Sequence, residues 1–287
     1  MKKSIVLPAF FKESINNIDC LLNSINIVKQ YGFSVVELYF EGNNKKIIKD
    51  QLKKEGLTSI YLGAAGIKKY KLNLASLDKD LRQTSVEEVK KYIEDAYYFG
   101  ARAILINSGK KTVDKQEELL AYQALKNSLK ELLKFNVKKS DDYLLDVHLE
   151  TGDTEIESFE LIGNTELAVK FVKDMHEKYS NIFLTLDTSH LRQLGEDPLT
   201  SIKKAFKYCK HIHLANCVLD KGSPLYGDKH PRFGEENGEF DLKNIRKIYK
   251  SVCSMYEGHQ LIITLEIICR EDDPIEFFKQ VVNEMSW

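Results

Sequence analysis

The sequence predicts an α/β fold, a single (β/α)8 barrel over residues 1–287, and three observations lead there. Eight short apolar runs recur, most of them followed by a helical pattern. Strands alternating with helices imply parallel strands joined by crossovers, which are right-handed almost without exception. No Pro/Gly/Ser-rich linker divides the 287 residues, 43% of them apolar, and α/β barrels of roughly 250 residues form one domain.

The elements follow in chain order. The first run, Ile5 to Phe10, leads into a helix over Ser14 to Gln30. The second, Ser34 to Phe40, leads into a helix over Asn44 to Glu55, and the third, Ser59 to Gly63, opens a long loop. Ser85 with Glu88 three residues on makes a capping box for the next helix, which Gly100 ends, as glycine commonly does. The fourth run, Ala103 to Asn107, precedes a long helix over Lys115 to Phe135. The last four runs are Tyr143 to Glu150, Ile182 to Asp187, His211 to Ala215 and Gln260 to Ile268; a helix over Pro274 to Met285 closes the chain.

Composition narrows the function. Charged residues make up 30% of the chain and nearly cancel, for a net charge of -1. Nucleic-acid binders carry a basic footprint, so no nucleic-acid partner is expected, whereas a small phosphorylated substrate stays compatible. Cys20, Cys209, Cys217, Cys253 and Cys269 are odd in number and form no CxxC pair, the pattern of a reduced, cytoplasmic chain. The opening apolar run carries Pro8 and stops at Lys12-Glu13-Ser14, so it reads as a strand and not a leader. No stretch approaches the ~20 apolar residues of a membrane span, and no membrane partner is expected. Neither a P-loop nor GxGxxG occurs, leaving nucleotide cofactors without support. Homo-oligomerisation stays open.

The polar residues at the strand ends carry the functional signal. The fifth run ends in Glu150, the sixth in Asp187, the seventh holds His213 and the eighth Glu266. In a (β/α)8 barrel the strand C-termini converge on one mouth, where active sites sit. Three carboxylates brought together there repel one another unless a cation joins them. The mixed O/N set suits Mn²⁺, Co²⁺, Mg²⁺ or Zn²⁺. A second group lies beside the first: His190 just past the sixth run, and Asp228 and His230 in the loop after the seventh. These three are candidates for a second metal or for contacts to substrate oxygens. Glu37, on the second run, is a candidate substrate contact at the mouth, and Lys221 and Arg232 are candidates for binding a distal hydroxyl or phosphate. His148, two residues before Glu150, shares its side of the strand, either supporting the site or filling the core as a hydrogen-bonded histidine. His211 reads as a core histidine, and His176 and His259 as surface residues.

Several segments occur in an order that resembles the xylose isomerase-like TIM barrel superfamily, of the sugar-phosphate isomerase/epimerase and AP endonuclease family 2 type. They are GFSVVEL (Gly32 to Leu38), LNLAS-LD (Leu72 to Asp78), FGARAILINSG (Phe99 to Gly109), HLE, LIGNT (Leu161 to Thr165), LDTSH, HIHLAN and FGEENGEFD (Phe233 to Asp241). The resemblance implies that Glu150, Asp187, His213 and Glu266 are the shared metal ligands. It also implies that Glu150 and Glu266 form the acid/base pair of the epimerase branch. His190, Asp228 and His230 match positions that hold an additional zinc in endonuclease IV. Two departures stand out. The histidines that endonuclease IV adds after its third and fourth strands are missing from YLGAAG (Tyr61 to Gly66) and LINSG (Leu105 to Gly109). The arginine that the D-tagatose 3-epimerase group places after its seventh strand has no counterpart in ANCVLDKGS (Ala215 to Ser223), which offers only Lys221.

The expected function is therefore a divalent-metal-dependent isomerase or epimerase of a small carbohydrate or sugar phosphate, moving a proton next to a carbonyl through an enediolate. The alternatives are a metal-dependent sugar or inosose dehydratase and an endonuclease IV-like phosphodiesterase on abasic DNA. A barrel that binds without turnover is a further one.

Overall fold

The computed structural model describes residues 1–285. Among these, the first half of the chain runs β1 (Lys2–Ile5), α1 (Leu7–Phe10), a 3₁₀ turn (Lys12–Ile15), α2 (Ile18–Gln30), β2 (Val35–Leu38), α3 (Lys45–Glu55), β3 (Thr58–Leu62), α4 (Gly63–Lys69), α5 (Lys79–Tyr98), β4 (Ala103–Asn107) and α6 (Glu118–Lys139). The second half runs β5 (Asp146–Glu150), α7 (Thr165–His176), β6 (Ile182–Asp187), α8 (Thr188–Gln193), α9 (Pro198–Ala205), β7 (Cys209–Leu214), α10 (Leu242–Met255), β8 (Ile262–Leu265) and α11 (Pro274–Met285). The strands form one parallel sheet in the order β1-β8-β7-β6-β5-β4-β3-β2. Between its two ends, Ser34 N–H donates to Lys3 O (3.2 Å) and Val6 bridges Glu37, which brings β1 alongside β2 and closes the ring. The fold is the predicted (β/α)8 barrel.

Burial explains why the strands read as continuous apolar runs. Every residue of β6 is buried. Leu184 and Leu186 lie on one side of the strand, Thr185 and Asp187 on the other, because successive side chains alternate. A strand covered by helices outside and by a packed interior inside has no polar face to spare. Burying each leucine contributes roughly 1.5–3 kcal/mol.

Four local expectations differ from what forms. The first strand stops at Ile5, and Leu7–Phe10 turn helical with Pro8 in the first turn. Proline is preset for that position and lacks only an N–H that no helix start uses. Phe10 then packs against Phe277 and Phe278 of α11, with ring centroids 5.9 and 5.8 Å away. The loop expected after β3 is the helix α4, despite glycines at 63 and 66. Gly66 is required there, because a Cβ would stand 2.5 Å from the Tyr92 hydroxyl; close packing on α5 outweighs glycine's poor helix propensity. The helix start assigned to Ser85 lies at Asp78, whose carboxylate accepts the N–H groups of Asp80 and Leu81. Ser85 sits inside α5, donating to Leu81 O and accepting from Asn73 N–H. His176 is half-buried between the rings of Phe183 and Tyr208 and is not a free surface residue. Gly100 does end its helix, with φ at +69°.

Candidate metal centre at the strand ends

Four strands deliver the central residues. Glu150 and Asp187 are the last residues of β5 and β6, and His213 is the penultimate residue of β7. Glu266 follows β8 directly, its N–H still donating to Leu214 O across the ladder. His213 Nδ1 lies 2.6 Å from Glu266 Oε2, 3.2 Å from Glu150 Oε1 and 3.8 Å from Asp187 Oδ2. One ligand atom from each of the four residues lies within 4.8 Å of all the others. Asp187 divides its oxygens. Oδ1 caps α8 by accepting from Ser189 N–H (2.6 Å) and His190 N–H (3.2 Å), whereas Oδ2 faces the cluster.

The donor set fits a divalent cation. Asp187 Oδ2, Glu266 Oε2 and His213 Nδ1 are buried and have no aligned hydrogen-bond partner, although they stand close together. Buried polar atoms are costly when left unpaired. Three carboxylates and an imidazole aimed at one point lose that cost by sharing an ion.

The second group is brought alongside. Asp187, His190 and His230 also offer ligand atoms within 4.8 Å of one another. His230 Nε2 lies 2.8 Å from Asp228 Oδ1, and its Nδ1 lies 3.6 Å from Glu266 Oε1. His190 Nε2 is 3.9 Å from the same Asp228 oxygen. Burial alone would raise the Asp228 carboxyl; His230, His190 and Lys68 instead hold it well below the usual range. Burial lowers His190, but Asp187, Asp228 and Glu150 bring it above its ordinary value.

Three contributors carry no sequence signal. Lys68 reaches the mouth from α4, with Nζ 3.0 Å from Asp228 Oδ2. Glu157, in the loop after β5, accepts from Asp228 N–H (2.8 Å) and Lys229 Nζ (2.7 Å), tying that loop to the one bearing His230. Asp153 shapes the loop by accepting the N–H groups of Glu155, Ile156, Glu157 and Ser158. The third is Glu160, buried, with Oε2 accepting from the Ser108 hydroxyl (2.6 Å). Burial first, and the Glu150 charge after it, push its carboxyl up to about 7.

A stability prediction follows from Glu160. An acid whose folded pKa is raised binds more protons folded than unfolded. Its stabilisation is complete below the unfolded value, 4.5, and is lost as pH rises through about 7. At 1.36 kcal/mol per unit this amounts to roughly 3 kcal/mol. Denaturant unfolding of metal-free protein between pH 4 and 8 should show this decline, and Glu160→Gln should flatten it. Equal pH slopes in the two proteins would refute the assignment.

Glu37 does not face the open mouth: it is fully buried, with its carboxylate between His211 and His213. Arg232 is turned to α11, where its guanidinium pairs with Glu284 (2.5 Å). Lys221 is exposed in the turn after β7. His148 and His211 are both buried in the interior, their Nδ1 atoms 3.4 Å apart. All five cysteines are free thiols. No helix among the described residues is long and apolar enough to cross a membrane.

Fold and site define an α/β barrel with a carboxylate–imidazole cluster at its C-terminal mouth. The chain belongs to the xylose isomerase-like TIM barrel family, whose model matches residues 25–279. No curated protein sequence matches it. Among solved structures, 3-keto-D-glucoside 4-epimerase, YcjR, from E. coli superposes with a TM-score of 0.71 at 16% identity, over 100% of this chain and 98% of that one. AP endonuclease, family 2, from Brucella melitensis gives 0.71 at 16% identity, over 98% and 99%. The IOLI protein with a bound zinc atom gives 0.70 at 17%, over 100% and 98%. At such identities the likeness is one of fold.

Proposed function

We propose that the chain is a divalent-metal-dependent sugar or sugar-phosphate isomerase or epimerase that moves a proton next to a carbonyl. One observation carries this reading. Glu150 and Glu266, from strands on different sides of the mouth, flank the same His213 nitrogen. Epimerases among the solved structures of the same fold support it. Glu150, Asp187, His213 and Glu266 would hold the cation, and His190, Asp228 and His230 a second ion or substrate oxygens. A bound cation supplies Lewis-acid polarisation of the carbonyl oxygen. One glutamate removes the carbon-bound proton, leaving an enediolate, and the other returns a proton to the neighbouring carbon or the opposite face.

Incubation in D₂O with a panel of ketoses and their phosphates, with Mn²⁺, Co²⁺ or Mg²⁺, tests the reading. Deuterium entering the carbon next to the carbonyl is the expected result. No exchange with any sugar would overturn it.

A lyase reading has one observation in its favour. Burial and the Glu150 charge push the Glu160 carboxyl up to about 7, the range of a general acid that could protonate a departing hydroxyl. A product lighter by one water would select it. The phosphodiesterase reading lacks its histidines: β3 ends in Leu62 and β4 in Asn107.

A further inference from the structure

We infer that Glu37 is a positioning residue that fixes which nitrogen of His213 faces the carboxylates. The inference rests on the metal reading above and assigns Glu37 a role other than contact with substrate.

Glu37 sits on β2, and its side chain crosses the barrel interior to β7, three strands away round the closed ring through β1 and β8. Both of its oxygens end on imidazole Nε2 atoms. Oε1 lies 3.0 Å from His211 Nε2, and Oε2 lies 3.3 Å from His213 Nε2. The carboxylate is wholly buried, out of a substrate's reach. An ionised carboxylate only accepts hydrogen bonds, so His211 Nε2 donates to Oε1, and the Oε2 charge 3.3 Å from His213 Nε2, although the pair is not aligned as a hydrogen bond, favours a hydrogen on that nitrogen too. A neutral His213 then has a bare Nδ1. That atom is the one 2.6 Å from Glu266 and 3.2 Å from Glu150. The tautomer of an imidazole ligand is set by the partner of its other nitrogen.

The neighbours hold Glu37 in this role. His211 Nε2 also lies 2.7 Å from Thr264 Oγ1, so its N–H has two acceptors in reach. On the far side His211 Nδ1 lies 3.0 Å from Thr185 Oγ1, whose hydroxyl supplies a donor. The column Thr185–His211–Glu37–His213 is thus consistent with hydrogens running in one direction, from the Thr185 hydroxyl to His211 Nδ1 and from His211 Nε2 to Glu37. Glutamine at 37 breaks that consistency. Its amide has one acceptor oxygen and one donor NH₂, so it cannot accept from both rings.

The test uses the full chain labelled with ¹⁵N in its histidine rings, titrated with Zn²⁺ as a diamagnetic probe. Two-bond ¹H–¹⁵N spectra of the wild type should show His213 with Nε2 protonated and Nδ1 as the nitrogen that Zn²⁺ shifts. Calorimetry should show Zn²⁺ affinity falling about 10–100-fold in Glu37→Gln, with the His213 tautomer mixed. A purely structural Glu37 would leave the tautomer unchanged. Should Glu37→Gln not fold, the zinc-loaded wild-type spectrum decides alone: Zn²⁺ on Nε2 of His213 overturns the inference. Unchanged Zn²⁺ affinity in a folded Glu37→Gln overturns it as well and leaves the metal centre standing. A wild type that binds no divalent cation sinks the metal reading itself.

Discussion

Replacing either Glu150 or Glu266 by glutamine is expected to lower kcat/KM by about 10²–10⁴-fold, the range that positioned acid–base groups supply. Glutamine keeps the side-chain length and one acceptor oxygen but takes up no proton. The two variants should also fail differently. If each glutamate serves one face of the substrate, each variant retains proton exchange from the epimer that its surviving carboxylate faces. It loses exchange from the other epimer, and with it net turnover. Deuterium wash-in from each epimer separately, with the metal content measured in parallel, reads this out. Near wild-type turnover in either variant would remove the acid/base assignment. Equal loss of exchange from both epimers at full metal occupancy would remove the division of labour between the two residues.

What the sequence disclosed follows the range over which its signals act. Glu150, Asp187, His213 and Glu266 were legible because each stands at or beside the end of an apolar run. In a parallel barrel the ends of such runs meet at one mouth. Residues whose role depends on closing the ring were not. Glu37 on β2 meets β7 only once the barrel forms, and alternation along one strand cannot say what lies opposite. Lys68 was hidden by glycines that read as loop, although packing against Tyr92 makes the segment helical. Glu160 lies in an irregular loop whose path is set by Asp153 and Ser108, so no period marked it as buried. At the start of α5, Asp78 and Ser85 both satisfied local capping rules. Only the tertiary partner of Ser85, the Asn73 N–H, separates them.

Adding a divalent cation to metal-free protein is expected to raise Tm by roughly 8–16 °C. A ligand at 1,000 times its Kd adds about 4.1 kcal/mol to the folded state. For chains of this size each kcal/mol moves Tm by roughly 2–4 °C. The gain arises because the cation joins three carboxylates that otherwise share one buried space with the unaligned Nδ1 of His213. Asp187→Asn isolates that effect better than any other substitution in the cluster. The asparagine oxygen can still cap α8 as Oδ1 does, while the atom facing the cluster becomes an amide nitrogen with no lone pair for an ion. The variant should therefore lose most of the cation-induced rise. Its metal-free Tm should be unchanged or higher, since one of the clustered negative charges is gone. Calorimetric scans of both proteins with EDTA and with Mn²⁺ provide the comparison. An equal Mn²⁺-induced shift in the two would place the ion elsewhere. No shift in the wild type would leave the carboxylates without the partner that their convergence demands.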